Sequence, residues 1–305
     1  MRARVVGLAR ALLPQRVVDT ARDLVRNLPR AGEVAPTRRA LAAAPTEPAF
    51  LDAAALETMQ AQYPTAPEYG YDPASVEHRG RIRAREILRL PGARGATDFL
   101  ELGCWDGMVA AGLTRAGKRA AGVDRRADGF DARAGAAGAR LLAMNASQLE
   151  FEDGSFDFVY SYDAFEHFDA PERVMAECIR VLRPGGRLHL EFGPLFLSPL
   201  GQHAYRSIRV PYCQCLFTPA TMTAFAALRG LPAIDFDHVN RWPIARFRAL
   251  WASQAASLER VRYRETLDLS HLALIRQYPS CFRSKSEAFE DFVVAQVSAL
   301  FEKRG

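Results

Sequence analysis

A chain of 305 residues with 49% hydrophobic composition can bury a full α/β core and still carry one substantial extension or insertion. Its formal charge of +5 is a small excess of 40 Lys+Arg over 35 Asp+Glu, with no long basic tail, which argues against nucleic acid as a partner. No apolar run reaches the roughly 18 residues of a membrane span, and the five cysteines are an odd set in a large chain; both point to a soluble cytoplasmic protein with reduced thiols.

Residues 4–28 place Val5, Leu8, Leu12, Val18, Ala21, Val25 and Leu28 at helical spacing, with arginines between them and a break at Pro14. They predict two short basic amphipathic helices, which either pack on the domain or make peripheral contact with an anionic membrane surface. No small-residue cleavage site follows them. The stretch 31–67 is rich in Ala and Pro and reads as linker and short helices. The expected division is an N-terminal helical extension and linker over 1–66 and a catalytic domain over 67–305.

From Asp98 onward, short apolar runs alternate with helical patterns, the order of a doubly wound parallel sheet. Strands are predicted at 99–102, 120–123, 140–144, 156–161 and 187–192, and a helix at 171–182 that stops before Pro184, Gly185 and Gly186. The period-two alternation of Val293, Ala295, Val297, Ala299 and Phe301 marks a final strand. Residues 193–290 are too long for a connection and are read as a helical lid or insertion. Within it, Cys213 and Cys215 flank one glutamine, but no second pair or clustered histidine completes a four-ligand set, so no metal is expected.

Chemistry concentrates after the first strand. The string ELGCWDG, Glu101 to Gly107, falls at the turn into the first helix, where Gly103 and Gly107 let the backbone approach a ligand above the strand ends. Asp124 ends the second strand, in the place where a carboxylate accepts from two ribose hydroxyls. These two features alone also fit a nicotinamide dinucleotide enzyme.

The run from Met144 to Glu191 closely resembles the third-to-fifth-strand half of the class I S-adenosylmethionine-dependent methyltransferases. Phe151, Asp153, Ser155, Phe156, Asp157, Val159, Ser161, Glu166 and His167 carry the resemblance, with Glu177, Arg180, Val181, Leu182, Pro184, Gly185 and Gly186. It implies a Rossmann-like α/β seven-stranded sheet with the last strand antiparallel, and S-adenosyl-L-methionine as cofactor. By that resemblance Glu101, Gly103, Cys104 and Gly107 form the loop at the methionine end, Glu101 contacting the amino group directly or through water. Asp124 and Arg125 hold the ribose, Asn145 and Ala146 face the adenine, and Ser161, Tyr162 and Asp163 lie near the transferred methyl. Trp105 stands where the family has its middle glycine, and Asn145 where it has aspartate.

A hydroxyl acceptor needs a base, and His167 and His203 are the candidates because imidazole titrates near operating pH. The segment 192–217 is similar to one found in bacterial methyltransferases of polysaccharide and tailoring pathways, through Gly193, Pro194, Ser198, Pro199, Gly201, His203, Pro211 and Phe217. Tyr205, Tyr212 and Trp242, with Arg241 and Arg246, offer aromatic faces and donors for a polyhydroxy acceptor. The expected activity is O-methylation of a sugar, glycan or polar secondary metabolite. The alternatives are a membrane-associated lipid or quinone methyltransferase, and a non-catalytic S-adenosylmethionine-binding protein motivated by Trp105. Nucleic-acid methylation is not expected, and the oligomeric state is left open.

Overall fold

The computed structural model describes residue 27, residues 30–63 and residues 70–305. The two helices expected over 4–28 therefore lie, but for residue 27, outside the described residues. The chain divides into two compact units: 1–64, 197–234 and 266–295 form the first, and 65–196, 235–265 and 296–305 the second. Among the described residues no helix is long and apolar enough to cross a membrane.

The first unit is helical, with Ala31–Ala43, Ala53–Gln62 and Pro219–Leu228 its longest members. Its core includes Leu41, Leu56, Tyr212, Phe282 and Phe292, all nearly or fully buried. Gln60 ties two segments together: its Nε2 donates to the Ser207 carbonyl at 3.2 Å and its Oε1 accepts from the Arg209 amide at 2.9 Å. A buried amide satisfied at both ends avoids the desolvation cost of a lone polar group.

The second unit is built on a seven-stranded sheet: β1 Asp98–Leu102, β2 Arg119–Asp124, β3 Arg140–Ala143, β4 Phe156–Tyr162, β5 Leu182–Phe192, β6 Leu258–Leu267 and β7 Val294–Lys303. The order is β3-β2-β1-β4-β5-β7-β6. The first five strands pair in parallel and β7 pairs antiparallel with β5. In β1 and β4, Phe99, Leu100, Leu102, Phe158, Val159 and Tyr160 are all fully buried, as strands covered on both faces require. Because β1 lies between β2 and β4, the chain reverses direction across the sheet there, and the crevice at this switch point is where an open α/β sheet binds ligands.

A staple at the opposite edge fixes the β1/β4 register. Asp157 accepts from the Thr97 and Asp98 amides at 2.8 and 3.0 Å, and Arg183 joins Asp157 at 2.6 Å to Asp98 at 2.8 Å. Arg183 also donates to the Ser155 carbonyl at 2.9 Å. The Ser155-Phe156-Asp157 motif and the arginine before Pro184 thus serve the fold.

Two elements differ from the sequence expectation. β5 begins at Leu182 and not near 187: Phe156 faces Leu182, Phe158 faces Arg187, and the register shifts between them. Pro184, Gly185 and Gly186 therefore form an irregularity within the strand, which accommodates Gly185 at φ 76°. The segment 193–290 also contributes β6, LERVRYRETL, where only helices were expected. Its exposed or half-buried arginines at 260, 262 and 264 suit an edge strand, which charge protects from further pairing, and they hide its apolar alternation.

Candidate active site

The loop after β1 hooks onto the end of β2. The amides of Gly103 and Cys104 both donate to the Val123 carbonyl, at 2.9 and 3.0 Å, and the Trp105 amide donates to Asp124 Oδ2 at 3.0 Å. Gly103 and Gly107 have φ of 69° and 73°. A Cβ on Gly103 would lie 2.4 Å from Ala164 Cβ, and one on Gly107 would lie 2.5 Å from the Leu141 side chain. These glycines are required by the protein's own packing, a different reason from the ligand approach inferred from sequence. Cys104 is buried against Gly122, whose Cβ would come within 2.8 Å of it; burial pushes its thiol well up, so it stays protonated. Trp105 adopts a left-handed φ of 43° and is 55% exposed, its indole over Gly129.

Asp124 is half-buried, and its Oδ1 accepts a long 3.4 Å bond from the Arg126 amide. Each carboxylate oxygen takes two hydrogen bonds, so acceptor capacity remains for a diol. Arg125 is exposed and pairs with Asp169 at 2.8 Å. After β3, Asn145 Oδ1 accepts from the Ser147 amide and hydroxyl, both at 2.9 Å, and Ala146 is buried. A clamp on helix Pro171–Val181 holds the next residues: Glu177 accepts from the Leu149 amide at 2.6 Å, and Arg180 donates to the Leu149 and Phe151 carbonyls at 2.8 and 2.6 Å. Arg180 also pairs with Glu177 and Asp153, each at 2.8 Å. Sequence comparison marked Glu177 and Arg180 without giving them a task; the clamp is that task.

Glu101, at the β1 end, is buried. Its Oε2 accepts from the Ala110 amide and the Tyr160 hydroxyl, both at 3.2 Å. Burial, helped by Asp106, pushes its carboxyl up to about 8. Ser161 is fully buried and its hydroxyl donates to the Leu102 carbonyl at 2.9 Å, which makes it a fastener between β4 and β1. Tyr162 is buried beneath Arg83, whose guanidinium lies 4.8 Å from the ring centroid and bonds Asp163. Arg83 sits on helix Pro73–Ile87, which carried no functional reading, since nothing local in sequence announces a partner 80 residues away.

The turn Phe165–His167 is anchored by Phe165, fully buried with its ring 5.2 Å from Phe192 and 5.6 Å from Trp251. Glu166 is 2% exposed; its Oε1 accepts from the Gly193 amide at 3.0 Å, and its Oε2 has no hydrogen-bond partner. Burial and then Asp163 push this carboxyl up to about 8. His167 Nδ1 lies 2.7 Å from the His238 carbonyl. A carbonyl only accepts, so Nδ1 carries the proton and the lone pair of the neutral ring is on Nε2. Burial holds the pKa of His167 below its ordinary value.

The sequence-derived acceptor residues fare differently. Trp242, 6% exposed, packs on Phe247 with centroids 5.1 Å apart and under Arg246 at 3.8 Å, a core contact and not an open sugar platform. His203, Tyr205 and Tyr212 belong to the first unit. His203 is half-buried at a left-handed φ of 56°, and Tyr205 is half-buried. Tyr212 corrects the expectation: it is 0% exposed, and its hydroxyl donates to the Phe292 carbonyl at 2.9 Å, so it is a core residue there. Side-chain type signalled recognition chemistry in these aromatics but carried no information on burial.

Residues 100–190 match the methyltransferase domain family. The ubiquinone biosynthesis O-methyltransferase of Nitrosococcus oceani is 27% identical over 109 residues, covering 34% of this chain and 46% of that protein. An uncharacterized methyltransferase of Mycobacterium sp. strain KMS is 36% identical over 110 residues, covering 36% and 43%. Methyltransferase GfsG of Streptomyces halstedii is 30% identical over 145 residues, covering 43% and 52%. Among solved structures, the PH0226 protein of Pyrococcus horikoshii OT3 is 18% identical with a TM-score of 0.48, covering 79% of this chain and 97% of that one. The chain spans about half the length of the curated relatives it matches. Residues 100–190 therefore carry a methyltransferase domain on a sheet of this order, and S-adenosylmethionine is the cofactor that such a domain implies.

If the loop after β3 meets the adenine as expected from sequence, the clamp predicts that Arg180→Ala weakens S-adenosylhomocysteine and 5′-methylthioadenosine by the same factor, about tenfold. Titration calorimetry with both ligands checks this; a loss confined to the larger ligand contradicts it. The buried carboxyls set a pH dependence. Folded Glu101 and Glu166 keep protons that the unfolded chain releases above about 4.5, so their contribution is full below that value and lost as pH rises through about 8. Histidines with lowered pKa, such as His189, oppose this only below their ordinary 6.5. Between pH 6.5 and 8, stability therefore falls, by up to about 1.4 kcal/mol per pH unit per group. Urea denaturation across that range should show the slope, and Glu166→Gln should flatten it.

Proposed function

We propose that the chain transfers the methyl group of S-adenosylmethionine to a hydroxyl of a sugar, glycan or other polar acceptor. The observation that carries this reading is the joint placement of the 103–107 loop, Asp124, Asn145 and the His167 turn, each at or just after the carboxyl end of one of the strands β1 to β4. When bound, the cofactor supplies an electrophilic methyl on a sulfonium. Asp124 takes the ribose hydroxyls with its remaining lone pairs, and Asn145 and Ala146 flank the adenine. Glu101 serves the amino end, where an arriving ammonium favours the ionised carboxyl and releases its proton.

Methyl transfer is an in-line displacement, so fixing donor and acceptor supplies much of the acceleration. The acceptor hydroxyl loses its proton as the new C–O bond forms, and His167 is the base: neutral at pH 7 and oriented through Nδ1 by the His238 carbonyl. His203, in the 193–290 lid, is the other base candidate of the sequence reading, and Tyr205 a candidate substrate contact. The 1–66 extension is in this reading the helical companion of the lid, since 1–64 shares a compact unit with 197–234 and 266–295. Several relatives are ubiquinone biosynthesis O-methyltransferases, which supports a second reading in which the acceptor is a quinone precursor and the basic segment 4–28 meets a membrane.

His167→Ala should leave S-adenosylhomocysteine affinity unchanged and lower turnover about 10²–10⁴-fold, with incorporation from methyl-labelled cofactor as the readout. Sugar acceptors are compared with catechols in the same assay. Unchanged turnover removes His167 as the base, and incorporation into catechols alone moves the acceptor to the second reading.

A further inference from the structure

Two adjoining cavities open at the amino-terminal edge of the sheet, away from the strand ends that carry the methyl-transfer site. One, of about 360 Å³, is formed by the turn between helix Pro73–Ile87 and β1, with Leu88, Leu90 and Pro91 as its apolar wall. The other, of about 500 Å³, is lined by Arg85, Leu88, Arg89, Arg94 and Lys118. Arg89 and Arg94 face both, and no acidic residue lines either.

The charge here is unlike that of the rest of the unit. Its arginines are almost all engaged: Arg79 with Asp106, Arg119 with Asp98, Arg133 with Asp131, Arg180 with Glu177 and Arg248 with Glu265. Among its described residues, only Arg85, Arg89, Arg94 and Arg173 have guanidinium groups outside any ion pair, side-chain hydrogen bond or ring contact. Three of these four line one cavity. Lys118 completes the set: two of its ammonium hydrogens go to the Arg94 and Ala96 carbonyls at 2.8 and 2.7 Å, fixing the turn and leaving one donor. Glu86, the nearest acid in the chain, lines neither cavity.

We propose that this basic pair of cavities is a second binding site, separate from the cofactor site, for a phosphate-bearing ligand. Guanidinium forks match phosphate oxygens two at a time, which carboxylate-paired arginines elsewhere in the unit are not available to do. The concave apolar wall of Leu88, Leu90 and Pro91 concentrates the field of the four cations, and the volumes suit a small phosphate or diphosphate group and not an extended polyanion. The phosphate belongs either to a free metabolite or to a lipid headgroup.

The test uses the full chain and its Arg85→Ser/Arg89→Ser/Arg94→Ser variant, with inorganic pyrophosphate by titration calorimetry and with phosphatidylglycerol against phosphatidylcholine vesicles by flotation. All three arginines are exposed, so the variant should keep the wild-type melting temperature; the single Arg94→Ala substitution is the fallback if it does not. The proposal expects affinity for one probe to fall about tenfold or more in the variant, with steep salt dependence in the wild type. Loss of pyrophosphate binding assigns a free phosphate ligand, and loss of phosphatidylglycerol binding alone assigns a headgroup. Wild type and variant behaving alike with both probes, whether both bind or neither does, overturns it.

Discussion

The turn after β1 is held from the end of β2, and the rest of the site depends on that hold. The Val123 carbonyl takes the Gly103 and Cys104 amides and the Asp124 carboxylate takes the Trp105 amide. The residue expected to bind the ribose therefore also shapes the loop expected to meet the methionine end. This also bears on Trp105. A non-glycine residue in the left-handed region costs about 1–2 kcal/mol, while a hydrogen bond to a charged group contributes about 1.5–3 kcal/mol. The amide bond to Asp124 is of the size needed to offset the strain, and the indole rests over Gly129 with over half its surface in solvent. The departure from glycine leaves the loop's connection to β2 intact.

Charge around β4 is arranged sparingly. Glu101 and Glu166 are buried and pushed up to about 8, so both are largely neutral at pH 7. The Arg83–Asp163 pair lies over Tyr162 at the tip of the strand, tethering helix Pro73–Ile87 to the turn that carries His167.

Much of this was legible in the sequence, for physical reasons. β1, β2 and β4 are apolar runs buried on both faces, and their predicted bounds fall within one residue of those observed. β6 escaped because an edge strand covers its alternation with arginine, and the start of β5 because Pro184 and two glycines read as a helix stop. At the site, glycines and Asp124 were found by position along the chain. Ser161, Tyr212 and Trp242 were misjudged in accessibility, because a hydroxyl or an aromatic face has the same letter in a core as in a cleft. Arg83 acts across 80 residues and Arg180 through backbone carbonyls, which no local pattern records.

The central claim is that Asp124 and the loop tied to it form the cofactor site. Titration calorimetry of the full chain with S-adenosylhomocysteine, beside Asp124→Ala and with NAD as control, tests it most directly. The account predicts selective binding of S-adenosylhomocysteine that the substitution weakens by about 2 kcal/mol or more, as loss of charge-assisted bonds to a diol requires. Equal affinity in the wild type and Asp124→Ala, or no binding by the wild type, would contradict it.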